Sequence, residues 1–223
     1  MIPNNASAEI SAAVAVLSEA DPVIARLASL HGLPILEKRS LVDFTVEGWE
    51  DPAYSRADLL FSELVEVVIH QQLAGKAAVA ITSRVRQAFD GQITAERVHG
   101  CSPEVLRTAG LSGAKIAAIA GLANAVVQGE LSLESLVDLG DDAVTWELSK
   151  LRGFGPWSAQ MFLMFSLGRI DVWPVGDLGV RKGYRASYGL EEIPSPRELL
   201  QLGERFRPYR SLVAWYLWRS LSS

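Results

Sequence analysis

One cysteine, Cys101, stands in 223 residues. No disulfide can close within the chain, and no cysteine-rich zinc or iron–sulfur centre can be built from it. A reducing, cytoplasmic compartment fits that usage. The three histidines, His31, His70 and His99, are scattered and match no metal-ligand spacing. The opening segment MIPNNASAEISAAVAVLSEADP carries no Lys or Arg ahead of its mild apolar stretch, so it is not expected to be a secretion signal. No apolar run approaches the length of a membrane span, and there is neither a repeat of fixed period nor a low-complexity tract. Positive charge is also scarce: 21 Lys and Arg face 26 Asp and Glu, for a formal net charge of −5. That balance argues against a protein that coats nucleic acid by bulk attraction. Polar disorder is excluded too, since 49% of the residues are hydrophobic.

What is present reads as helix. Ala, Leu, Glu, Arg and Gln dominate, and Gly or Pro closes the periodic segments. Helices are expected near 8–30, 57–73, 75–89, 103–109, 113–128, 141–151, 156–168, 178–187, 196–203 and 209–221. Only LVDFTVEG, with Val42, Phe44 and Val46 alternating, has the period of a strand. The links are short and marked by Gly75, Gly110, Gly153, Gly155 and Gly168, which favours neighbouring helices packed side by side. The expectation is an all-α protein with two helical subdomains and a cleft between them. Residues 1–50 are expected to form a helical arm packing on a core of 51–223.

The charge is segregated. Between Lys150 and Arg185 six bases (Lys150, Arg152, Arg169, Arg181, Lys182, Arg185) meet two acids, Asp171 and Asp177. The segment LSKLRGFGPWSAQMFLMFSLGR, residues 148–169, overlaps the start of this window. A helix ends at Leu151, two glycines follow around Phe154, and Pro156 opens the next helix, where its missing N–H costs nothing. Glycine suits a sharp turn whose backbone must lie close to another molecule. The new helix offers free N–H groups and its positive end, a seat for phosphate, while Phe154 would plug the turn into the core. A dinucleotide fingerprint would need a preceding strand and a third glycine; position 158 is Ser and the lead-in is helical.

Leu151, Gly153, Phe154, Gly155 and Ala159 fill a Leu-x-Gly-apolar-Gly-x-x-x-Ala pattern, with the hairpin spanning 145–168. In this the sequence resembles the helix-hairpin-helix DNA glycosylase superfamily. In the resembled family an Asp follows the hairpin at the start of the next helix, and the match places Asp177 there. Asp is a favoured helix cap anywhere; behind the hairpin it acquires a second reading. The dipole and the capping N–H groups favour its ionised form, and an anion facing C1′ would stabilise the charge that develops as the glycosidic bond breaks and orient the attacking water. Asp171, the competing acid, sits in a loop ahead of Trp173 and reads as structural. Bifunctional members carry a Lys two residues beyond the second glycine; here that position is Trp157, which implies base release without strand cleavage.

An aromatic at 157 resembles the alkyladenine branch, of the bacterial AlkA and yeast Mag type. Phe61 to Ala78 (FSELVEVVIHQQLAGKAA) resembles its Gln-rich junction, Leu106 to Ala123 its Gly-Leu-Ser-x-x-Lys helix start, and Phe206 to Leu221 its Pro-aromatic-Arg-Ser helix. About 50 residues precede the resemblance, too few for the N-terminal sheet domain of the longer forms, so the compact form is expected; Gly176 stands where the branch commonly has a second Asp.

The resemblance implies a flipped, alkylated base stacked in an aromatic pocket. Trp157 leads that pocket, and Trp49, Tyr54, Trp173 and Trp215 are further candidates, each of which could equally be core. It implies a residue to fill the hole left in the duplex, Gln72 by position, with Leu73 beside it. Phosphate contacts are assigned to the hairpin backbone at Gly153, Phe154 and Gly155 and to Arg152 and Lys115. No cofactor and no side-chain metal site are expected; a monovalent cation on the backbone carbonyls of 151–155 is allowed by the resemblance. The expected partner is double-stranded DNA containing alkylated bases, met by a monomer in the cytoplasm on the nucleoid, with no membrane contact. The alternative is a catalytically silent helix-hairpin-helix protein that binds damaged DNA. The preferred lesion stays open.

Overall fold

The computed structural model describes residues 5–34, 36, 54–73 and 75–221, and among them every regular element is helical. The strand-like piece at 42–46 and Trp49 lie outside the described residues. In chain order the helices are α1 (Asn5–Ala20), α2 (Pro22–His31), α3 (Arg56–His70), α4 (Gly75–Ala88), α5 (Ala95–His99), α6 (Pro103–Thr108), α7 (Gly113–Val127), α8 (Leu133–Asp138), α9 (Asp141–Ser149), α10 (Pro156–Met161), α11 (Leu178–Tyr188), α12 (Pro196–Gly203) and α13 (Arg210–Arg219). A π-helical turn, Phe162–Ser166, continues α10, and a 3₁₀ turn, Glu204–Phe206, follows α12. Among the described residues no helix is long and apolar enough to cross a membrane.

Three expectations change. The single helix read over 8–30 is two. Pro22 opens the second, and Asp21 takes an extended backbone and accepts hydrogen bonds from the Val23 and Ile24 N–H groups at 2.9 and 3.2 Å. A residue before proline is driven out of the helical region, so Asp-Pro ends one helix and caps the next. Two short helices were not anticipated, α5 and α8; each is announced only by its cap, Thr94 and Ser132. The helix read over 156–168 changes its hydrogen-bond pattern after Met161, where the π turn takes over.

The chain divides into two compact units, Met1–Glu37 with Gly168–Ser223, and Lys38–Leu167. In the first, α2 packs on α1 and α13, and α11 packs on α13. Ile24, Leu27, Val180, Leu199, Phe206, Leu212 and Leu217 are buried there. The two ends of α2 are tied to this unit: Asp21 Oδ2 accepts from the Tyr188 hydroxyl at 3.0 Å and faces the Arg205 guanidinium at 3.2 Å, while Gly32 O accepts from the Tyr216 hydroxyl at 2.9 Å. Burial, reinforced by the Asp21 carboxylate, drives the Tyr188 phenol far above its ordinary pKa, so it stays a donor. In the second unit α3 is the central element, with Leu60, Phe61, Leu64, Val65, Val68 and Ile69 all buried. It packs against α4, α7, α8 and the π turn, and α9 packs on α10.

One contact sets how closely α11 and α13 approach. A Cβ on Gly183 would lie 2.1 Å from the Leu217 carbonyl oxygen, so the two backbones meet where only hydrogen fits. Gly183→Ala is therefore expected to push α13 away and to cost roughly 2–3 kcal/mol of stability. A lower urea midpoint with an unchanged slope is the result that checks it.

Candidate active site

In the second unit the hairpin takes the shape its glycines require. Gly153 has φ +90°, a left-handed conformation, and a Cβ there would lie 2.5 Å from the Ala118 side chain of α7. Phe154 is buried, as the plug it was expected to be, and its N–H donates to Leu151 O at 3.1 Å. Gly155 is the N-cap of α10 and offers no side chain to the first turn, which Pro156 begins. The helix start is therefore capped by no side chain of this residue. Trp157 is half-buried in that first turn, and Arg152 is exposed.

Two residues hold this turn to the end of α3. The Gln71 Nε2 group donates to Gly153 O and to Ser158 Oγ, both at 2.9 Å. Lys115, read from sequence as a phosphate ligand, turns inward: its ammonium donates to Ile69 O at 2.7 Å and to Gln71 O at 2.9 Å. A cation on the last carbonyls of a helix satisfies orphan acceptors and matches the negative end of the dipole. Burial pulls the Lys115 pKa below its ordinary value. Just past this clamp, Gln72 adopts φ +54°, and Leu73 is 38% exposed. Tyr54 lies in the core of the unit, with its hydroxyl donating to Ile93 O at 3.2 Å and its phenol pKa raised by burial.

In the first unit Asp177 caps α11. Its Oδ1 accepts from the Val180 N–H and from the Trp218 indole N–H, each at 2.8 Å. The second donor comes from α13, and Trp218 was not among the aromatics singled out from the sequence. Its three-residue spacing from Trp215 was the available signal; which of the two turns toward α11 depends on packing. Gly179 makes the reach possible, since a Cβ there would lie 2.8 Å from the indole Nε1 and 2.9 Å from Asp177 Oδ1. Trp215, by contrast, sits edge-on to Tyr216 with ring centroids 5.4 Å apart, and the Arg219 guanidinium lies 5.6 Å from its centroid. Trp173 is buried, its N–H donating to Leu199 O at 2.8 Å across the face of Gly203, where a Cβ would lie 2.1 Å from that nitrogen.

The loop leading to Asp177 is stapled to the start of α13. Asp171 receives the buried Arg210 guanidinium in a two-pronged pair, at 2.7 Å on Oδ1 and 3.0 Å on Oδ2, and Arg207 at 3.1 Å. Ser211 Oγ accepts from Val172 N at 2.8 Å and donates to Arg169 O at 2.7 Å. Asp171 thus holds its loop to α13, as a structural acid does, while Asp177 caps α11. Among the described residues no group of His, Cys, Asp or Glu could hold a metal ion. A monovalent cation would have to use hairpin carbonyls, of which Leu151 O already accepts from Phe154 N–H and Gly153 O from Gln71.

Comparison with known proteins gives a consistent result. Residues 65–208 match the family described as HhH-GPD superfamily base excision DNA repair protein. The chain is 36% identical over 163 residues to DNA-3-methyladenine glycosylase 1 of Schizosaccharomyces pombe, covering 72% of each. Among solved structures it resembles the S. pombe 3-methyladenine DNA glycosylase in complex with abasic DNA, with a TM-score of 0.79 and 31% identity over 95% of this chain and 97% of that one. It also resembles a DNA-3-methyladenine glycosidase from Bacillus halodurans, with a TM-score of 0.63 and 37% identity, over 74% of this chain and 76% of that one.

The tie between Trp218 and Asp177 is open to direct measurement. Trp218→Phe keeps an aromatic ring and deletes the donor, and is expected to cost about 1.5–3 kcal/mol in urea unfolding, the range for a hydrogen bond to a charged group. Gly179→Ala, which drives a methyl group into the indole, is expected to cost at least as much and to shift the tryptophan emission.

Proposed function

This chain belongs to the HhH-GPD superfamily of base excision DNA repair proteins, and we propose that within it the chain is a monofunctional DNA glycosylase of the 3-methyladenine type. The observation that carries this reading is the Asp177 carboxylate, fixed through Oδ1 by an amide of its own helix and by an indole of another. A carboxylate held in place from two directions is preorganised to face charge that develops during a reaction.

The reaction follows from the chemistry of the substrate. Alkylation at a ring nitrogen makes the purine cationic and a good leaving group, so little acid assistance is needed. The hairpin backbone at Gly153, Phe154 and Gly155 holds a phosphate, with Arg152 beside it, and the damaged nucleotide turns out of the stack. Gln72 or Leu73, on the turn after α3, fills the gap. The flipped base stacks on Trp157, whose ring face attracts a cation. As the C1′–N bond breaks, positive charge moves to the sugar and the base leaves neutral. Asp177 stabilises that charge, a water oxygen adds to C1′, and the water's proton passes to the carboxylate and on to solvent. An abasic site remains. Position 157, where the bifunctional members carry a Lys, is Trp, so the amine that would attack the sugar to cleave the strand is missing from that position.

The partner on this reading is double-stranded DNA containing alkylated bases. The same reading puts the protein on the nucleoid in the cytoplasm, acting as a monomer.

Single-turnover release of methylated purines from duplex oligonucleotides tests the proposal. Asp177→Asn is expected to bind the damaged duplex as wild type does and to release base at least about a hundredfold more slowly. Product strands are expected to stay intact until heat or alkali is applied. A protein that holds the damaged duplex and releases nothing would be the silent binder instead, and an Asp177→Asn variant as fast as wild type would remove Asp177 from the mechanism.

A further inference from the structure

The clamp between α3, α7 and the hairpin is not explained by base release itself. Four observations converge on it. The Gln71 amide nitrogen uses both of its hydrogens on the hairpin, one on Gly153 O and one on Ser158 Oγ. Gly153 O can only accept, so the orientation of the amide is fixed by its partner. The backbone carbonyl of the same residue is held by the Lys115 ammonium, which also holds Ile69 O. Three residues further along α7, on the same face, Ala118 fills the space beside Gly153 that a side chain would occupy. Gln71 is therefore held at both its main chain and its side chain, and the next residues in the chain are the left-handed Gln72 and the exposed Leu73.

We infer that Gln71 is a positioning residue: it locks the turn that carries residues 72 and 73 to the turn of the hairpin, so that gap filling and phosphate grip reach the DNA in one fixed register. Lys115 and Ala118 are the fixed points of that lock on α7. The inference rests on the function proposed above for the two turns, but not on the chemistry at Asp177. Either turn alone has the freedom of a short loop. Bound to each other through one amide, they move as a unit, and a filling residue displaced by about an ångström could cost as much as a hundredfold in rate.

The test separates insertion from catalysis. A duplex carries 2-aminopurine opposite a tetrahydrofuran abasic analogue, and its emission reports entry of the filling residue without any base to release. Wild type is expected to change that emission on binding. Gln71→Met, similar in length and lacking both donors, is expected to bind the duplex within about threefold of wild type, because phosphate contacts dominate affinity, and to lose most of the emission change. On a methylated-purine duplex it is expected to slow release about tenfold. Leu73→Gly slows wild type but adds little in the Gln71→Met background, the non-additivity expected of residues acting through one turn. Ser158→Ala, which keeps the Gly153 bond, is expected to fall between; should Gln71→Met fail to fold by circular dichroism, Ser158→Ala with the Leu73→Gly cycle carries the test. The inference is overturned if wild type leaves the emission unchanged, if Gln71→Met inserts and releases as wild type does, or if the Gln71 and Leu73 effects simply multiply. A wild type that inserts but releases no methylated purine would overturn the proposed function and leave this inference standing.

Discussion

The carboxylate site depends on two positions where α11 carries no side chain. Gly179 and Gly183 lie four residues apart, hence on one face of the helix, and both face α13. At Gly183 the backbone of Leu217 takes the space of a Cβ; at Gly179 the Trp218 indole does. The first contact sets the distance between the helices, and the second lets an indole N–H reach the carboxylate at the helix start. Glycine inside a helix weakens it by roughly 1 kcal/mol relative to alanine. That local cost is offset here by the close packing of α11 on α13, and it is what allows a residue near the end of the chain to orient one that caps α11.

The second unit solves a different problem, the exposed polar ends of helices, with long side chains. Lys115 closes the carbonyl end of α3, and the Gln71 amide occupies an acceptor of the hairpin turn. The amide end of α10, headed by Gly155 and Pro156, has no side-chain cap from its N-cap residue. The carbonyl end of α3 and the Gly153 carbonyl of the hairpin are thus satisfied within the unit by side chains distant in sequence. A chain of net charge −5 belongs to a family of DNA repair proteins, so total charge does not decide membership; along the sequence, six bases stand against two acids between Lys150 and Arg185.

The helical class, most helix positions, the hairpin with its buried Phe154, and the capping position of Asp177 were legible in the sequence, because each depends on residues close together in the chain. What escaped it depends on residues far apart. Trp218 and Asp177 are separated by 41 positions, and Gln71 and Gly153 by 82; no periodicity links such pairs. Lys115 was assigned to phosphate under the resemblance, and only packing shows it closing α3. Tyr54 and Trp173 looked like pocket aromatics, and each proves to be buried with its polar tip on a backbone carbonyl. The helix break at Asp21 was in plain sight as Asp-Pro, but the apolar spacing continues through it and masked the cap.

The first unit is discontinuous in sequence: α1 and α2 belong with α11, α12 and α13, and the whole of the second unit is inserted between them. During synthesis the ribosome delivers α1 and α2 long before Tyr188, Arg205 and Tyr216 exist to receive Asp21 and Gly32. The inserted unit has all its helices once residue 167 has emerged, and so completes its core first. α1 and α2 can pack on each other early, but α2 meets α13 only once residues 210–219 have been made, which leaves the face of α2 turned to α13 the one most in need of a chaperone's cover.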